Sequence, residues 1–111
     1  MAYAFLAGTR IVEWGEGVTA PYCGKLLAEL GAQVVKIEPL PDGESGRGLP
    51  PFAGDVSGAQ RSLLFEHLNA GKRSVALDLE SERGRELLLA LVGAADALVE
   101  ETRAYGAMNI V

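Results

Sequence analysis

Apolar residues along this chain gather into short runs divided by polar or glycine-rich turns, and the runs alternate between strand length and helix length. Ile11, Val12 and Trp14 form a brief stretch over Arg10–Trp14, ended by Gly15, that predicts a first strand. Pro21 suits the first turn of a helix, where its missing N–H removes nothing from the ladder. That helix is predicted to run to Leu30, with Leu26, Leu27 and Leu30 on its apolar face and Gly31 as its stop. Val34, Val35 and Ile37 within Gln33–Glu38 predict a second strand, ended by Pro39. Such short connections around one helix make the two strands parallel neighbours.

Residues 39–61 break this rhythm. They hold four of the five prolines and five of the fourteen glycines, so they read as a long irregular loop. In a small domain a loop of that length is functional or disordered. Leu63–Leu68 reads as a helical turn, followed by a corner at Gly71 and a third strand over Ser74–Leu79, with Val75, Leu77 and Leu79 in phase. Ser81 is placed as the N-cap of a further helix, with Glu82 in its first turn, Gly84 as a weak spot, and Leu87, Leu88, Leu91 and Val92 as a broad apolar face. Ala97–Val99 is a fourth, short strand. The order predicts an α/β fold: Rossmann-like, with a mainly parallel sheet flanked by helices. Two firm helices are few for four parallel strands, which need cover on both faces, so an uncovered face or open edge is expected to associate.

Composition narrows the class. The 111 residues make one domain at most, and a chain of this size buries roughly two-thirds of its unfolded surface. Apolar content of 49% and charged content of 23% are those of an ordinary globular protein. A formal net charge of −5 argues against general nucleic-acid binding, which requires a basic face. The single cysteine, Cys23, allows no internal disulfide and fits a reducing compartment. The opening Met-Ala-Tyr-Ala-Phe-Leu-Ala-Gly lacks a cationic start, and no run approaches the ~20 apolar residues of a membrane span. A cytoplasmic, soluble protein with no membrane partner is the expectation.

Candidate chemistry centres on two turns. Lys72 and Arg73 stand side by side before a strand, and two cations there suit an anion such as a phosphate; solvated turn charges are the plainer alternative. Gly15-Glu-Gly17-Val-Thr-Ala20 lies between a strand and a helix, and Glu38 ends the next strand about twenty residues on, the spacing of a dinucleotide fingerprint. Against that reading, Glu16 occupies the turn where a pyrophosphate needs positive potential. His67 and Cys23 have no Ser/Cys–His–Asp spacing and read as a loop histidine and a core thiol.

Several ordered blocks carry a resemblance. Gly8-Thr-Arg-Ile-Val12, Ala20-Pro21-Tyr22, Leu26-Leu-Ala-Glu-Leu-Gly-Ala-Gln-Val-Val-Lys-Ile-Glu-Pro39, Arg47-Gly48, Pro51-Phe52, Asn69, Gly71-Lys-Arg-Ser-Val-Ala-Leu-Asp-Leu79 and Ala95-Asp-Ala-Leu-Val-Glu100 follow one another with characteristic spacing. In this the chain resembles the N-terminal part of the class III CoA-transferases, the CaiB/BaiF type, which include formyl-CoA transferases, carnitine-CoA transferases and α-methylacyl-CoA racemases. The resemblance implies that residues 1–111 form one N-terminal Rossmann-like domain, incomplete relative to the family's, that grips the nucleotide end of coenzyme A or an acyl-CoA. It implies Val18, Thr19 and Ala20 in the first turn as ligand contacts, Leu77 beside the adenine and Arg103 near the phosphates, with Lys72 and Arg73 in the family motif. No metal is implied.

The family's catalytic aspartate, which attacks the acyl-CoA carbonyl to give a mixed anhydride and then an enzyme-bound thioester, has no match in this chain, nor do the racemases' acid–base residues. The family's protomers interlock, each ring-shaped chain threading its partner, and no segment here matches the one that threads; it is the open sheet that predicts a homo-oligomer or a complementary chain carrying the rest of the fold. Two positions depart from the pattern. Glu80 stands where many members carry lysine, and Glu101-Thr102-Arg103-Ala104-Tyr105 replaces Asn-Phe-Arg-Pro-Gly. Each added carboxylate opposes a polyanion by roughly a kcal/mol per close exposed charge pair in water. A non-catalytic interaction module that has lost the pocket is therefore the second reading, and a dinucleotide-dependent oxidoreductase fragment the third.

Overall fold

The computed structural model describes residues 5–101. Its elements are β1 (Arg10–Trp14), α1 (Thr19–Glu29), β2 (Gln33–Pro39), α2 (Leu63–Asn69), β3 (Arg73–Leu77), α3 (Glu82–Gly93) and β4 (Ala97–Glu100). The strands form one sheet in the order β3-β2-β1-β4, and every pairing is parallel. Registry sets Arg10 beside Gln33, Ile11 beside Ala97, and Val35 beside Arg73, so β3 begins level with the middle of β2. The predicted α/β class and parallel sheet are what the chain adopts.

Alternation along the strands divides the side chains between two helical layers. Val12, Ile37 and Leu77 point to one face and pack with Leu88 of α3, joined by the half-buried Leu91 and Val92. Ile11 and Val34 point to the other, where Ala32, Leu27 and Ala28 of the α1 hairpin cover them. Both faces thus carry a helix. The shortage of cover falls instead on the edges: among the described residues nothing pairs with the outer side of β3 or β4, and Arg73, Ser74 and Ala76 of β3 are exposed.

Several local expectations change. The third strand starts at Arg73 and ends at Leu77 rather than running from Ser74 to Leu79. Pro21 does lie in the first turn of α1, but the helix buries Ala20, Pro21 and Gly24, the narrow side that can approach the sheet, and leaves Leu26 of the predicted apolar face 44% exposed. Cys23 is exposed, not a core thiol, because it faces away from that narrow side. His67 lies on α2 and is exposed, not in a loop. Gly84 is no weak spot: a Cβ there would stand 1.7 Å from the carbonyl oxygen of Asp78, so only glycine lets the first turn of α3 sit against the chain that enters it. Ser81 does cap that helix, accepting a 2.9 Å hydrogen bond from the Gly84 N–H.

The long loop is ordered by hydrogen bonds. Two 3-10 turns, Ser45–Gly48 and Ala53–Asp55, punctuate it, and the Leu40–Pro41 and Pro50–Pro51 peptides are cis. Phe52 bridges to Ser62, the N-cap of α2, whose hydroxyl donates to the Leu49 carbonyl (2.6 Å) and accepts from the Phe65 N–H (3.1 Å).

Candidate functional site

The chain reverses its direction of travel across the sheet between β1 and β4. From β1 it passes through α1 to β2, on one side; β4 returns on the other. In open α/β sheets such a switch point opens a crevice at the carboxyl ends of the two strands, and ligands bind there. Here the carboxyl ends of the two strands lead into Gly15, which follows β1, and Glu101, which follows β4. A Cβ on Gly15 would lie 2.5 Å from that of Ala20 and 3.3 Å from that of Glu101, so the glycine permits the three segments to meet. Gly17 has φ +80°, the left-handed conformation that turns the chain into α1.

Val18 is the N-cap residue and makes no side-chain cap, and no acidic residue occupies the first turn of α1. The first N–H groups of the helix are therefore left without a side-chain acceptor and carry the positive end of the helix dipole. Thr19 is exposed and Ala20 buried. The predicted trio Val18–Ala20 thus sits at the switch point. Glu101 donates its own N–H to the Trp14 carbonyl (3.2 Å), while its Oε2 is buried without a hydrogen-bond partner among the described residues. Leu77 closes the far end of β3, with its side chain in the core beside Leu88, and β2 separates its strand from β1. Glu80, in the turn after β3, is exposed. Arg103 lies outside the described residues.

The structure separates the two adjacent cations. The Lys72 ammonium is buried beneath α1, 2.6 Å from Glu13 Oε1 as an ion pair, and its aligned hydrogen bonds go to the Pro21 carbonyl (2.7 Å) and Asn69 Oδ1 (2.8 Å). Arg73 is exposed, and its side chain has no polar partner among the described residues. Lys72 belongs to a buried cluster that sequence reasoning missed. Lys36 Nζ lies 2.8 Å from Glu13 Oε2 and 3.1 Å from Glu44 Oε1, and all three side chains are at most 2% exposed. Gly24 makes room for the cluster, since a Cβ there would stand 1.8 Å from Glu13 Oε1. Burial pushes the Lys72 ammonium below its usual range, partly offset by Glu13. Burial likewise pushes Glu44 up, against the pull of Lys36 and the Gly46 N–H.

A second pair locks the loop from the side. Arg47 grips Glu38 through Nε (2.8 Å) and Nη2 (2.7 Å), and stacks over Phe65 with its guanidinium carbon 4.1 Å from the ring centre. Glu38 also accepts from Ser74 (3.1 Å) and the Glu44 N–H (3.3 Å). Burial raises the Glu38 carboxyl, but the Arg47 hydrogen bonds and charge outweigh it, leaving Glu38 below the usual carboxylate range. Both Glu38 oxygens are thus consumed inside the protein. The acid expected to hold a ribose in a dinucleotide site is not free, which removes the basis of that reading.

Two shallow hollows of about 360 and 400 Å³ flank Arg47, one against Phe65 and Asn69, the other against Phe52 and Ser57. Neither includes the β1 turn, and the guanidinium between them is already occupied by Glu38 and the Ala59 carbonyl (3.0 Å). No group of three or more His, Cys, Asp or Glu among the described residues is arranged to hold a metal ion, and no described helix is long and apolar enough to cross a membrane.

The fold is a doubly wound α/β layer with its topological switch between β1 and β4. Comparison with known proteins makes this specific: the model of CoA-transferase family III matches residues 6–109, and the chain belongs to that family. It is 41% identical over 95 residues to a succinyl-CoA:mesaconate CoA-transferase of Haloarcula hispanica, covering 86% of this chain and 24% of that one. It is 44% identical over 94 residues to the BbsE subunit of a succinyl-CoA:(R)-benzylsuccinate CoA-transferase of Thauera aromatica, covering 85% and 22%. A CaiB/BaiF family protein of Brucella suis superposes with a TM-score of 0.73 at 40% identity, covering 86% of this chain and 25% of that structure. The chain therefore spans about a quarter of the length of the relatives it matches.

Proposed function

We propose that this chain is the coenzyme A-nucleotide-binding layer of a class III CoA-transferase or acyl-CoA racemase, and that the reacting carboxylate is supplied by polypeptide outside residues 1–111. The observation that carries this reading is the uncapped N-terminus of α1 at the switch point of a family III sheet. Phosphate oxygens would accept from the first N–H groups of α1 beside the positive end of its dipole. Val18, Thr19 and Ala20 are the contacts in that turn, Arg103 the phosphate partner, and Leu77 the residue nearest the base. Lys72 serves the fold, and Arg73 is left as the solvent-facing cation of the pair. Acyl-CoA is the substrate class, with a second copy or a complementary chain completing the site in a cytoplasmic assembly.

Calorimetric titration with coenzyme A tests the reading. Micromolar binding, weakened at least tenfold by Arg103→Ala and by Thr19→Glu, is the expected result. Absence of binding overturns it and favours a family module that has lost its pocket, a reading specifically supported by the unpartnered Glu101 carboxylate just after β4. Glu101→Asn separates the two, since removing that charge should tighten a retained site and leave a lost one inert.

A further inference from the structure

The first βα turn has no side-chain hydrogen bond capping the helix it opens. Val18 offers no side-chain cap, Gly17 is in the left-handed region, and a Cβ on Gly17 would meet nothing within 4 Å. A turn of that kind is fixed by what packs against its backbone. Glu101 meets it at Gly15, and the long loop meets it at Gly17: Gly46 is buried, and a Cβ on it would stand 3.3 Å from the Gly17 carbonyl oxygen. Gly46 is held in place by Glu44, whose Oε2 accepts its N–H at 2.6 Å and whose Oε1 pairs with Lys36 at 3.1 Å. Lys36 in turn pairs with Glu13, two residues before the turn begins. The side chain of Glu44 is fully buried although it belongs to a loop, and the loop's other anchor, Arg47 on Glu38, seats the far side of the same 3-10 turn.

We infer that Glu44 is a positioning residue: its buried carboxylate seats the Ser45–Gly48 turn of the long loop against the Gly17 backbone and so fixes the Gly15–Ala20 turn in the form that receives a nucleotide. The long loop is then a brace for the ligand turn. The ligand part of this inference rests on the function proposed above; the mechanical part does not.

Amide hydrogen exchange on the 111-residue chain tests it, with Glu44→Leu, which removes both acceptors, and Glu44→Gln, which keeps an acceptor for the Gly46 N–H. In Glu44→Leu the amides of residues 16–20 and 44–48 should exchange at least tenfold faster while those of β1 and β2 keep their protection, and Glu44→Gln should restore most of the difference. Gly46→Ala, whose added methyl would press on Glu44 Oε2 and the Gly17 carbonyl, should give the same local signature if the leucine variant fails to fold. Uniform acceleration of turn and sheet, or an unchanged turn, overturns the inference. Coenzyme A binding is read on the same variants. A wild-type chain that binds none refutes the proposed ligand, whereas binding that Glu44→Leu leaves undiminished refutes the positioning role.

Discussion

Lys36 is the residue on which the interior electrostatics turn, because its buried ammonium sits between Glu13 and Glu44. Removing it leaves the buried Glu44 carboxylate with no cation and Glu13 with Lys72 alone, and an unpaired buried charge costs about 3–5 kcal/mol. Lys36→Met is expected to lose stability of that order in urea unfolding. Glu29→Ala, which removes an exposed carboxylate paired with Lys25 one helical turn before it, should cost only about 0.3–0.5 kcal/mol. Glu38 makes a pH-dependent contribution. Its carboxyl is held below the ordinary glutamate value of 4.5, so the stability it supplies is present above that value and lost as pH falls through it towards the depressed native one. The stability advantage of the native chain over Arg47→Met should therefore shrink across that acid range and be flat above it, as read from urea midpoints against pH.

At the scale of elements, the strands were legible because Ile11-Val12, Val34-Val35 and Val75 with Leu77 stand in short runs bounded by Gly15, Pro39 and Gly71. The charged cluster was not. Glu13, Lys36 and Glu38 occupy alternate strand positions, which read as the solvated side of a half-buried strand, yet α1 and the loop cover that side. The available signal was the registry itself: parallel pairing of the first two strands sets Glu13 beside Lys36, opposite charges on one face. The burial of Gly24 was likewise hidden, since three nearby leucines outweighed one glycine in judging the helix's inner side. The N-terminus of α3 makes the same point about small residues. Alanine is favoured over glycine inside a helix by about 1 kcal/mol, but Gly84→Ala should destabilise by about 1–3 kcal/mol, because the methyl collides with a backbone carbonyl that cannot step aside. Ser62→Ala, measured the same way, should cost about 1 kcal/mol through loss of the α2 cap.

For the whole molecule, the decisive features are a four-stranded parallel sheet with two open edges and an outward stripe of Val18, Tyr22 and Leu26, each more than two-fifths exposed. Surfaces of this kind seek cover. Light scattering on the purified chain should give a mass at least twice that of one copy; a stable monomer at high concentration would count against association. The central claim is that the crevice between the ends of β1 and β4 accepts the nucleotide of coenzyme A. Backbone amide NMR during titration with coenzyme A tests it most directly. Saturable shifts concentrated on Gly15–Ala20 and Glu101 are predicted, whereas an unchanged spectrum, or shifts confined to the hollows around Arg47 and Phe65, would contradict it.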